Sequence, residues 1–360
     1  MDKSLHIGLV GPLPPPSGGM ANQTLQLAKL LRQESLQVEV VQTNAAYKPK
    51  IVSKLPILRA LFRLLFYIIN LWQVAGRVDV FHIMANSGWS WHLFTVPAVW
   101  IAKCRKVPTV INYRGGEAEK FFSQSFKYVK PTLKASASII VPSKFLEEVF
   151  SKRGIETQII ANIIDLDRFK KIESKTEQGY PHLLITRNLE LIYDNDTAIR
   201  AFHEVTTHYP NAQLTIAGTG PELENLQSLV KQLELSSKVK FTGRVDTLDM
   251  PALYQSADVM LNPSRVDNMP NSILEALASG VPVVTTNVGG IPYMVEHNKT
   301  AILVDPQQPS VMSKAIRQVI EDDQCQQKLV KSGLDLVKQF AWSEVSQNWI
   351  SLYKKLAISV

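Results

Sequence analysis

Apolar and polar positions follow two alternating patterns along the chain. Short runs rich in apolar and β-branched residues, among them LHIGLVG, VEVVQT and VPTVINY, are separated by longer stretches whose apolar residues recur every three or four positions. Runs of the first kind are typical of buried strands, and stretches of the second kind are typical of amphipathic helices. Their regular alternation predicts an α/β fold built from βαβ units, with parallel strands.

The alternation pauses once, between Ala161 and Tyr180, where the polar stretch KKIESKTEQGY follows ANIIDLDRF. A chain of 360 residues is long enough for two domains of about 150 residues each. The sequence therefore predicts three parts: an N-terminal domain over residues 1–165, a C-terminal domain over 166–340, and a last helix within 341–360 that packs back on the domains.

Composition narrows the class of protein. Hydrophobic residues make up 45% of the chain, and 39 basic against 32 acidic residues give a net charge of +7. These values exclude a disordered chain. Cys104 and Cys325 lack the paired spacing of a zinc or redox site, and the chain starts with a strand pattern, so a cytoplasmic location is expected. The positive charge suits nucleic acid, an anionic membrane or a phosphorylated substrate. Nucleic acid is least favoured, because the basic residues are not interleaved with aromatics.

One segment, from Leu55 to Trp72, is almost wholly apolar. Its exceptions Arg59, Arg63 and Asn70 fall on one narrow stripe of a helix. Two arginines near the middle would cost roughly 2.5–3.5 kcal/mol each in a bilayer, so the helix is not expected to span a membrane. Two interpretations remain: a helix buried in the protein, or a helix lying in the interface of an anionic membrane. The preceding lysines Lys48, Lys50 and Lys54 suit the interfacial helix better than a spanning one, and the buried and interfacial interpretations both stay open.

A glycine pair, Gly18 and Gly19, stands where the first strand hands over to the first helix. Glycines at such a place let the backbone approach an anion, although a flexible surface turn explains the pair better when it is taken alone. The G-x-G-x-x-G spacing of a nicotinamide-cofactor site is absent, which disfavours a dehydrogenase.

The most informative string is NPSRVDNMPNSILEALASGVPVVTTNVGGIP. Asp267 precedes a predicted helix from Pro270 to Ser279, and Glu275 lies one turn inside that helix. A ligand over the helix N-terminus would meet free backbone N–H groups and both carboxylates, which suits a diphosphate and sugar hydroxyls. Taken singly, Asp267 could be an N-cap and Glu275 a solvated side chain.

This string resembles the signature of retaining glycosyltransferase family 4, in which two acidic residues with seven between them precede a Gly-Gly turn. Further similarity runs through PPPSGGM, VPSKFLEEVF, LTIAGTGPELENL, VKFTGRV and ADVMLNPS. The resemblance implies the GT-B architecture, two Rossmann-like domains facing across a cleft. It also implies a nucleotide-sugar donor held mainly by the C-terminal domain and an acceptor held mainly by the N-terminal domain.

The resemblance also implies residue roles. Asp267, Glu275 and Arg187 would form the catalytic group, with Glu275 on the donor ribose and Arg187 neutralising the leaving group. The expected donor-binding set comprises Gly18, Gly19, Arg187, Arg244, Asn268, Met269, Pro270, Asn271, Ser272 and Glu275. Acceptor-side candidates are Arg114, Glu117 and His82. No metal and no cofactor besides the donor are expected.

Three positions depart from the family pattern. The first acidic residue is Asp267 rather than glutamate, and Tyr193 stands near the place of a family lysine, so another cation such as Arg265 could substitute. Arg114 stands beside Gly115 where the family often has a His-Gly pair. It indicates either an anionic group on acceptor or donor, or a surface arginine in a glycine turn.

The sequence thus predicts a metal-independent, retaining glycosyltransferase of polysaccharide or lipopolysaccharide biosynthesis. It would move a sugar from a nucleoside-diphosphate donor to a hydroxyl of a lipid-linked or surface-saccharide acceptor, on the cytoplasmic face of the membrane. The alternatives are a nucleotide-sugar epimerase or sugar synthase of the same fold, or a catalytically silent saccharide- or nucleotide-binding protein.

Overall fold

Two parallel six-stranded β-sheets organise the chain, each in its own unit. The computed structural model describes residues 4–15, 18–45, 56–172 and 179–358, with side chains from residue 61 onward in the helix that begins at Pro56. One unit comprises Met1–Ile163 together with Val345–Val360, and the other comprises Ile164–Glu344. The prediction of a two-domain α/β fold is confirmed.

The first unit has strand order β2-β1-β3-β4-β5-β6. Its strands are β1 (His6–Gly11), β2 (Gln37–Gln42), β3 (Val80–Ala85), β4 (Thr109–Tyr113), β5 (Ser138–Val141) and β6 (Gln158–Ile159). Its helices are α1 (Gly19–Gln33), α2 (Pro56–Val74), α3 (Val96–Cys104), α4 (Ala118–Ala135) and α5 (Lys144–Ser151), with a π-helical turn at Trp91–Thr95 before α3. The long last helix, α12 (Trp342–Ile358), contributes most of its length to this unit.

The strands of this sheet are continuous apolar runs in the sequence because both faces of the sheet are buried. Every residue of β3 is buried, including the single polar one, His82. Helix α12 covers this strand with Trp349, whose ring centroid lies 4.7 Å from that of His82, and with Tyr353. The first sheet is therefore closed by a segment that lies more than 250 residues further along the chain.

Helix α2 is apolar around most of its circumference. Tyr67, Leu71 and Val74 are buried in the core of the unit, and the Tyr67 hydroxyl donates to the Phe94 carbonyl at 2.8 Å. The opposite side leaves large apolar side chains in solvent, each between 37% and 62% exposed: Leu61, Phe62, Leu65, Phe66, Ile68, Ile69 and Trp72. Within the ranges described, the helices are too short or too polar to cross a membrane.

The second unit has strand order β12-β11-β10-β7-β8-β9. Its strands are β7 (His182–Ile185), β8 (Gln213–Ala217), β9 (Val239–Gly243), β10 (Val259–Asn262), β11 (Val283–Thr286) and β12 (Ile302–Val304). Its helices are α6 (Asn195–Thr206), α7 (Leu223–Gln232), α8 (Met250–Ser256), α9 (Asn271–Ala278), α10 (Pro309–Glu321) and α11 (Asp323–Val337). Helix α9 lies within the range Pro270 to Ser279 that the sequence predicts for it.

The strand order of the second sheet fixes where a ligand can bind. The chain moves from β7 outward to β8 and β9, and then returns to place β10 on the other side of β7. In open parallel sheets, ligands bind beyond the carboxyl ends of the strands at such a reversal. The loops that begin at Thr186 and Pro263 leave these two strand ends, so they frame the expected site.

Candidate active site

An ion pair joins the two loops at the strand-order reversal of the second sheet. Arg187, two residues beyond β7, donates from Nη2 to Oδ2 of Asp267 at 2.6 Å. Only 13% of the arginine side chain and 11% of the aspartate side chain are exposed. Because so little water screens this pair, the two predicted catalytic residues are held in one fixed arrangement.

The Arg187 guanidinium has two further neighbours. Its Nη1 lies 3.5 Å from the Ser272 hydroxyl, in the first turn of α9. Its central carbon lies 4.1 Å from the centre of the Tyr193 ring, a cation–π contact. Tyr193, which stands where the resemblance would place a lysine, therefore orients the arginine and adds no charge of its own.

The Asp267 loop is fixed by hydrogen bonds and by a glycine pair. Ser264 donates from its hydroxyl to Asp267 Oδ2 at 3.1 Å, and the Asn268 N–H donates to Oδ1 at 3.0 Å. The Gly290 N–H donates to the Asp267 carbonyl at 3.0 Å. A Cβ on Gly289 or Gly290 would overlap the carbonyl oxygen of Asp267 or Asn268 respectively, so only glycine permits this close contact.

A second pair of glycines supports the Arg187 loop. A Cβ on Gly218 would overlap the Arg187 carbonyl oxygen, and one on Gly220 would overlap the Leu189 carbonyl oxygen. The Leu189 N–H donates to the Thr219 carbonyl at 3.0 Å. The GTG turn of LTIAGTGPEL thus positions the arginine, a role that the sequence analysis did not assign to it.

Glu275 is linked to the Arg187 loop through a buried tyrosine. The Tyr254 hydroxyl donates to Glu275 Oε2 at 2.8 Å and lies 2.8 Å from the Thr186 hydroxyl, which precedes Arg187. Burial raises the pKa of Glu275, and the Tyr254 hydrogen bond and the charges of Arg168 and Arg187 oppose that rise. Among the described residues, Oε1 of Glu275 has no hydrogen-bond partner. Tyr254, Thr186 and Arg168 carried no signal in the sequence that would have marked them.

The N-terminus of α9 completes the group. This helix begins at Asn271 after Pro270, and Asn268 and Met269 are buried just before it. The first N–H groups of a helix have no intrahelical acceptor, and its dipole makes this end positive. A helix N-terminus beside an arginine is an arrangement that binds a phosphate or diphosphate.

Two other predicted cations make different contacts. Arg265 donates to Asp194 at 2.6 Å, and Asp194 precedes α6 and also accepts from the Thr197 hydroxyl. Arg265 is thus bonded to the start of α6. Arg244 is exposed beyond β9, two strands from β7, which is about 10 Å across the sheet.

Gly18 and Gly19 lie at the start of α1, at the carboxyl end of β1. A Cβ at either position would meet no atom within 4 Å. Packing of the described residues therefore does not require glycine here, and the backbone stays open to a ligand.

The acceptor-side candidates lie in the first unit. Arg114 follows β4, and Glu117 is exposed and paired with Lys120 at 3.2 Å. His82 is fully buried in the middle of β3, with Nδ1 2.6 Å from the Tyr353 hydroxyl and Nε2 2.9 Å from Asn112 Nδ2. The expectation that His82 contacts an acceptor is therefore wrong, because α12 covers the strand. The part of the chain that the structure describes contains no group of three His, Cys, Asp or Glu side chains arranged as metal ligands.

The fold is that of a GT-B protein: two units with parallel sheets, with Arg187 beside the N-terminus of α9 at the strand-order reversal of the second. Two family models match the chain, Glycosyltransferase Family 4 over residues 17–168 and Glycosyl transferases group 1 over residues 167–335. The chain belongs to the family 4 type of glycosyltransferases.

Individual relatives agree with this assignment. A glycogen synthase of Mycobacterium tuberculosis is 27% identical over 77% of this chain and 69% of its own length. A GDP-mannose-dependent phosphatidylinositol monomannoside mannosyltransferase of the same organism is 32% identical over 45% of this chain and 42% of its own length. The structure of HepE from Anabaena in complex with UDP-glucose superposes with a TM-score of 0.77 over 97% of this chain and 99% of that one, at 19% identity.

Proposed function

We propose that the protein transfers a sugar from a nucleoside-diphosphate-sugar to a hydroxyl, with retention of anomeric configuration and without a metal ion. The observation that carries the proposal is the Arg187–Asp267 pair beside the N-terminus of α9, with Glu275 one turn further along that helix. A GDP-mannose-dependent relative and a UDP-glucose-bound structural neighbour support a nucleotide-sugar donor. They differ in base and sugar, and neither is assigned to this chain.

The leaving diphosphate needs fixed positive charge. Arg187 supplies a full charge and the α9 N-terminus a partial one, in a place where little water competes. Preorganised groups of this kind stabilise the charge that develops on the leaving group. We therefore expect transfer to proceed in EDTA at its ordinary rate.

Glu275 would accept hydrogen bonds from the donor ribose through Oε1. Its other oxygen is bonded to Tyr254, so the carboxylate is held in one orientation. Asp267 is bonded to Arg187, Ser264 and the Asn268 N–H. We assign Asp267 a positioning and electrostatic role, because a carboxylate engaged in three such bonds is a weak nucleophile.

The first unit offers a surface for an anionic membrane that carries a lipid-linked acceptor. The exposed apolar side of α2 would insert at the headgroup boundary. Helix α3 packs between α2 and α4, and α4 adds three exposed lysines, Lys127, Lys130 and Lys134. Each basic residue near an anionic surface contributes about 1 kcal/mol. Lys48, Lys50 and Lys54, and the side chain of Arg59, lie outside the described residues, whereas Arg63 is half-buried on α2.

A panel of nucleotide-sugars tests the proposed activity. The purified protein is incubated with each donor and a mixture of saccharide-lipid acceptors, with and without EDTA, and nucleoside-diphosphate release and products are measured. We expect acceptor-dependent release from one donor class, unchanged by EDTA. A release that EDTA abolishes and Mg²⁺ restores would refute metal independence. An epimerised donor, a free disaccharide, or binding without turnover would replace the proposal by one of the alternatives.

Vesicle cosedimentation tests the membrane surface separately. Phe66→Ser combined with Leu65→Ser should reduce binding to vesicles containing anionic lipid, and the lysine variant K127Q/K130Q/K134Q should reduce it most at low salt. Leu248, 82% exposed in the second unit, provides the control Leu248→Ser. Equal binding by all variants, or no binding by the unaltered protein, would contradict the membrane assignment and leave the transferase proposal intact.

A further inference from the structure

Arg114 lies at the carboxyl end of the first sheet. The hydrogen bonds of its cationic side chain go only to neutral groups of the protein. It follows β4, and its Nε donates to Asn112 Oδ1 at 3.2 Å. Its Nη1 donates to Oδ1 of Asn162, a buried residue. Both acceptors are amide oxygens, so they orient the guanidinium and leave its charge uncompensated.

Acidic residues close to Arg114 in the sequence are engaged elsewhere. Glu117 pairs with Lys120 at 3.2 Å, and Glu119 pairs with Arg153 at 2.9 Å. Within the described part of the chain, no carboxylate lies within 4 Å of the Arg114 guanidinium, and its Nη2 has no hydrogen-bond partner. A partly buried cation without a counter-ion is unfavourable in a folded protein. An anionic ligand at this place would remove that cost.

A buried chain of hydrogen bonds fixes Arg114 in place. Because arginine only donates, the Asn112 oxygen must face Arg114, and Asn112 Nδ2 then donates to Nε2 of His82. The proton of the imidazole therefore sits on Nδ1 and is donated to the Tyr353 hydroxyl at 2.6 Å. Burial, together with the charge of Arg114, lowers the pKa of His82 to about 3, so the ring stays neutral.

The charge itself persists at neutral pH. Burial lowers the pKa of Arg114 only to about 10. The turn beside it is compact on one side, where a Cβ on Gly115 would overlap the Ser87 hydroxyl, and open at Gly116, where a Cβ would meet nothing within 4 Å. A rigid guanidinium whose Nη2 is unused, next to open backbone, suits an oxygen of a carboxylate or phosphate, to which it can donate a charge-assisted hydrogen bond.

We propose that Arg114 binds an anionic group, a carboxylate or phosphate, of the substrate that occupies the carboxyl edge of the first sheet. This inference rests on the proposed transferase function and names the substrate class of that site. The anion could belong to the acceptor, as a phosphate linking saccharide to lipid, or to the donor, as an acidic sugar. Both sources present the same chemistry to the arginine, and the experiment below separates them.

Two matched substrate pairs are compared in transfer assays with the full chain. The acceptor pair is a lipid-linked saccharide with and without a phosphate linkage, and the donor pair is the active nucleotide-sugar and its uronic-acid counterpart. The variants are Arg114→Gln and Arg114→Lys, and Lys120→Gln is the control because it removes a nearby exposed charge. Circular dichroism and thermal unfolding check that each variant is folded.

We expect Arg114→Gln to raise KM at least tenfold for the charged member of one pair and less than twofold for the neutral member. Arg114→Lys should give a smaller increase in KM, because lysine keeps the charge but cannot make both amide contacts that orient the guanidinium. Lys120→Gln should leave KM unchanged for both the charged and the neutral substrates. The pair that shows the selective loss identifies the source of the anion. Equal losses for charged and neutral substrates, or none, would overturn the inference while leaving the transferase proposal standing.

A binding measurement keeps the inference testable if no donor supports turnover. The full chain saturated with UDP is titrated with inorganic phosphate and with glucuronate, in unaltered and Arg114→Gln forms. Weaker binding of either anion by the variant, by tenfold or more, supports the anion site although the proposed transferase function has failed. Identical binding of both anions by the two forms contradicts it.

Discussion

Replacing Glu275 should separate its part in donor binding from its part in the fold. The carboxylate accepts from Tyr254 at 2.8 Å, and we propose that its other oxygen accepts from the donor ribose. Glu275→Gln keeps the shape of the side chain and one acceptor oxygen, whereas Glu275→Ala removes both acceptors. The two variants therefore differ in what they leave behind for Tyr254.

The size of the effect follows from these contacts. Losing a hydrogen bond to a charged acceptor costs about 1.5–3 kcal/mol, which corresponds to roughly a 10- to 150-fold loss of affinity. Glu275→Ala should weaken donor binding at least tenfold. It also removes the charged acceptor of the fully buried Tyr254 hydroxyl and leaves it only the Thr186 hydroxyl, so the variant should be less stable as well. Glu275→Gln should weaken donor binding with little structural cost.

Calorimetric titration with the donor's nucleoside diphosphate measures the dissociation constants. Glu296→Gln is the control, because Glu296 is exposed in the same unit and pairs only with Lys299 among the described residues. Unchanged donor affinity in Glu275→Ala, with the fold intact by circular dichroism, would remove Glu275 from the site and refute the ribose assignment.

Three further predictions follow from the second unit. Because burial raises the pKa of Glu275, the folded state binds the proton of this group more tightly than the unfolded state. The group therefore lowers the stability of the protein as pH rises above its unfolded pKa. In denaturant titrations at pH 7, Glu275→Gln should be more stable than the unaltered protein, and the difference should vanish below about pH 4. Gly290→Ala should lower the free energy of unfolding by about 1–3 kcal/mol, since the new Cβ overlaps the Asn268 carbonyl. Gly116→Ala is the control and should leave the free energy of unfolding unchanged, so equal stability of the two variants would contradict the packing argument. Arg187→Lys should lower kcat for nucleoside-diphosphate release on the order of 10²-fold, and an unchanged kcat would show that the leaving-group charge is stabilised elsewhere.

The sequence predicted those features that depend on local pattern. The two sheets and helices such as α9 follow from the alternation of strand runs and helical periods, which adjacent residues determine. The position of Asp267 beside the N-terminus of α9 could be predicted because only a few residues separate them. Arg187 was reached only through the family resemblance, because it is 80 residues away from its partner.

The remaining features depend on contacts that are distant in sequence. Tyr254 reaches Glu275 from a separate helix, and its role is set by the packing of α8 against α9. His82 has the sequence context of a loop-edge ligand, yet α12 covers it with a segment 271 residues away. Helix α2 has one buried and one exposed apolar side. The sequence could not tell these sides apart, because apolar composition alone does not distinguish a buried face from an exposed one.

We propose that the second unit binds the diphosphate and ribose of a nucleotide-sugar between Arg187 and Glu275. A crystal structure of the protein soaked with the nucleoside diphosphate of its donor tests this most directly. We expect the diphosphate to lie within hydrogen-bond distance of Arg187 and the N-terminus of α9, with ribose hydroxyls on Oε1 of Glu275. A nucleotide bound elsewhere, with this arrangement empty at saturating concentration, would contradict it.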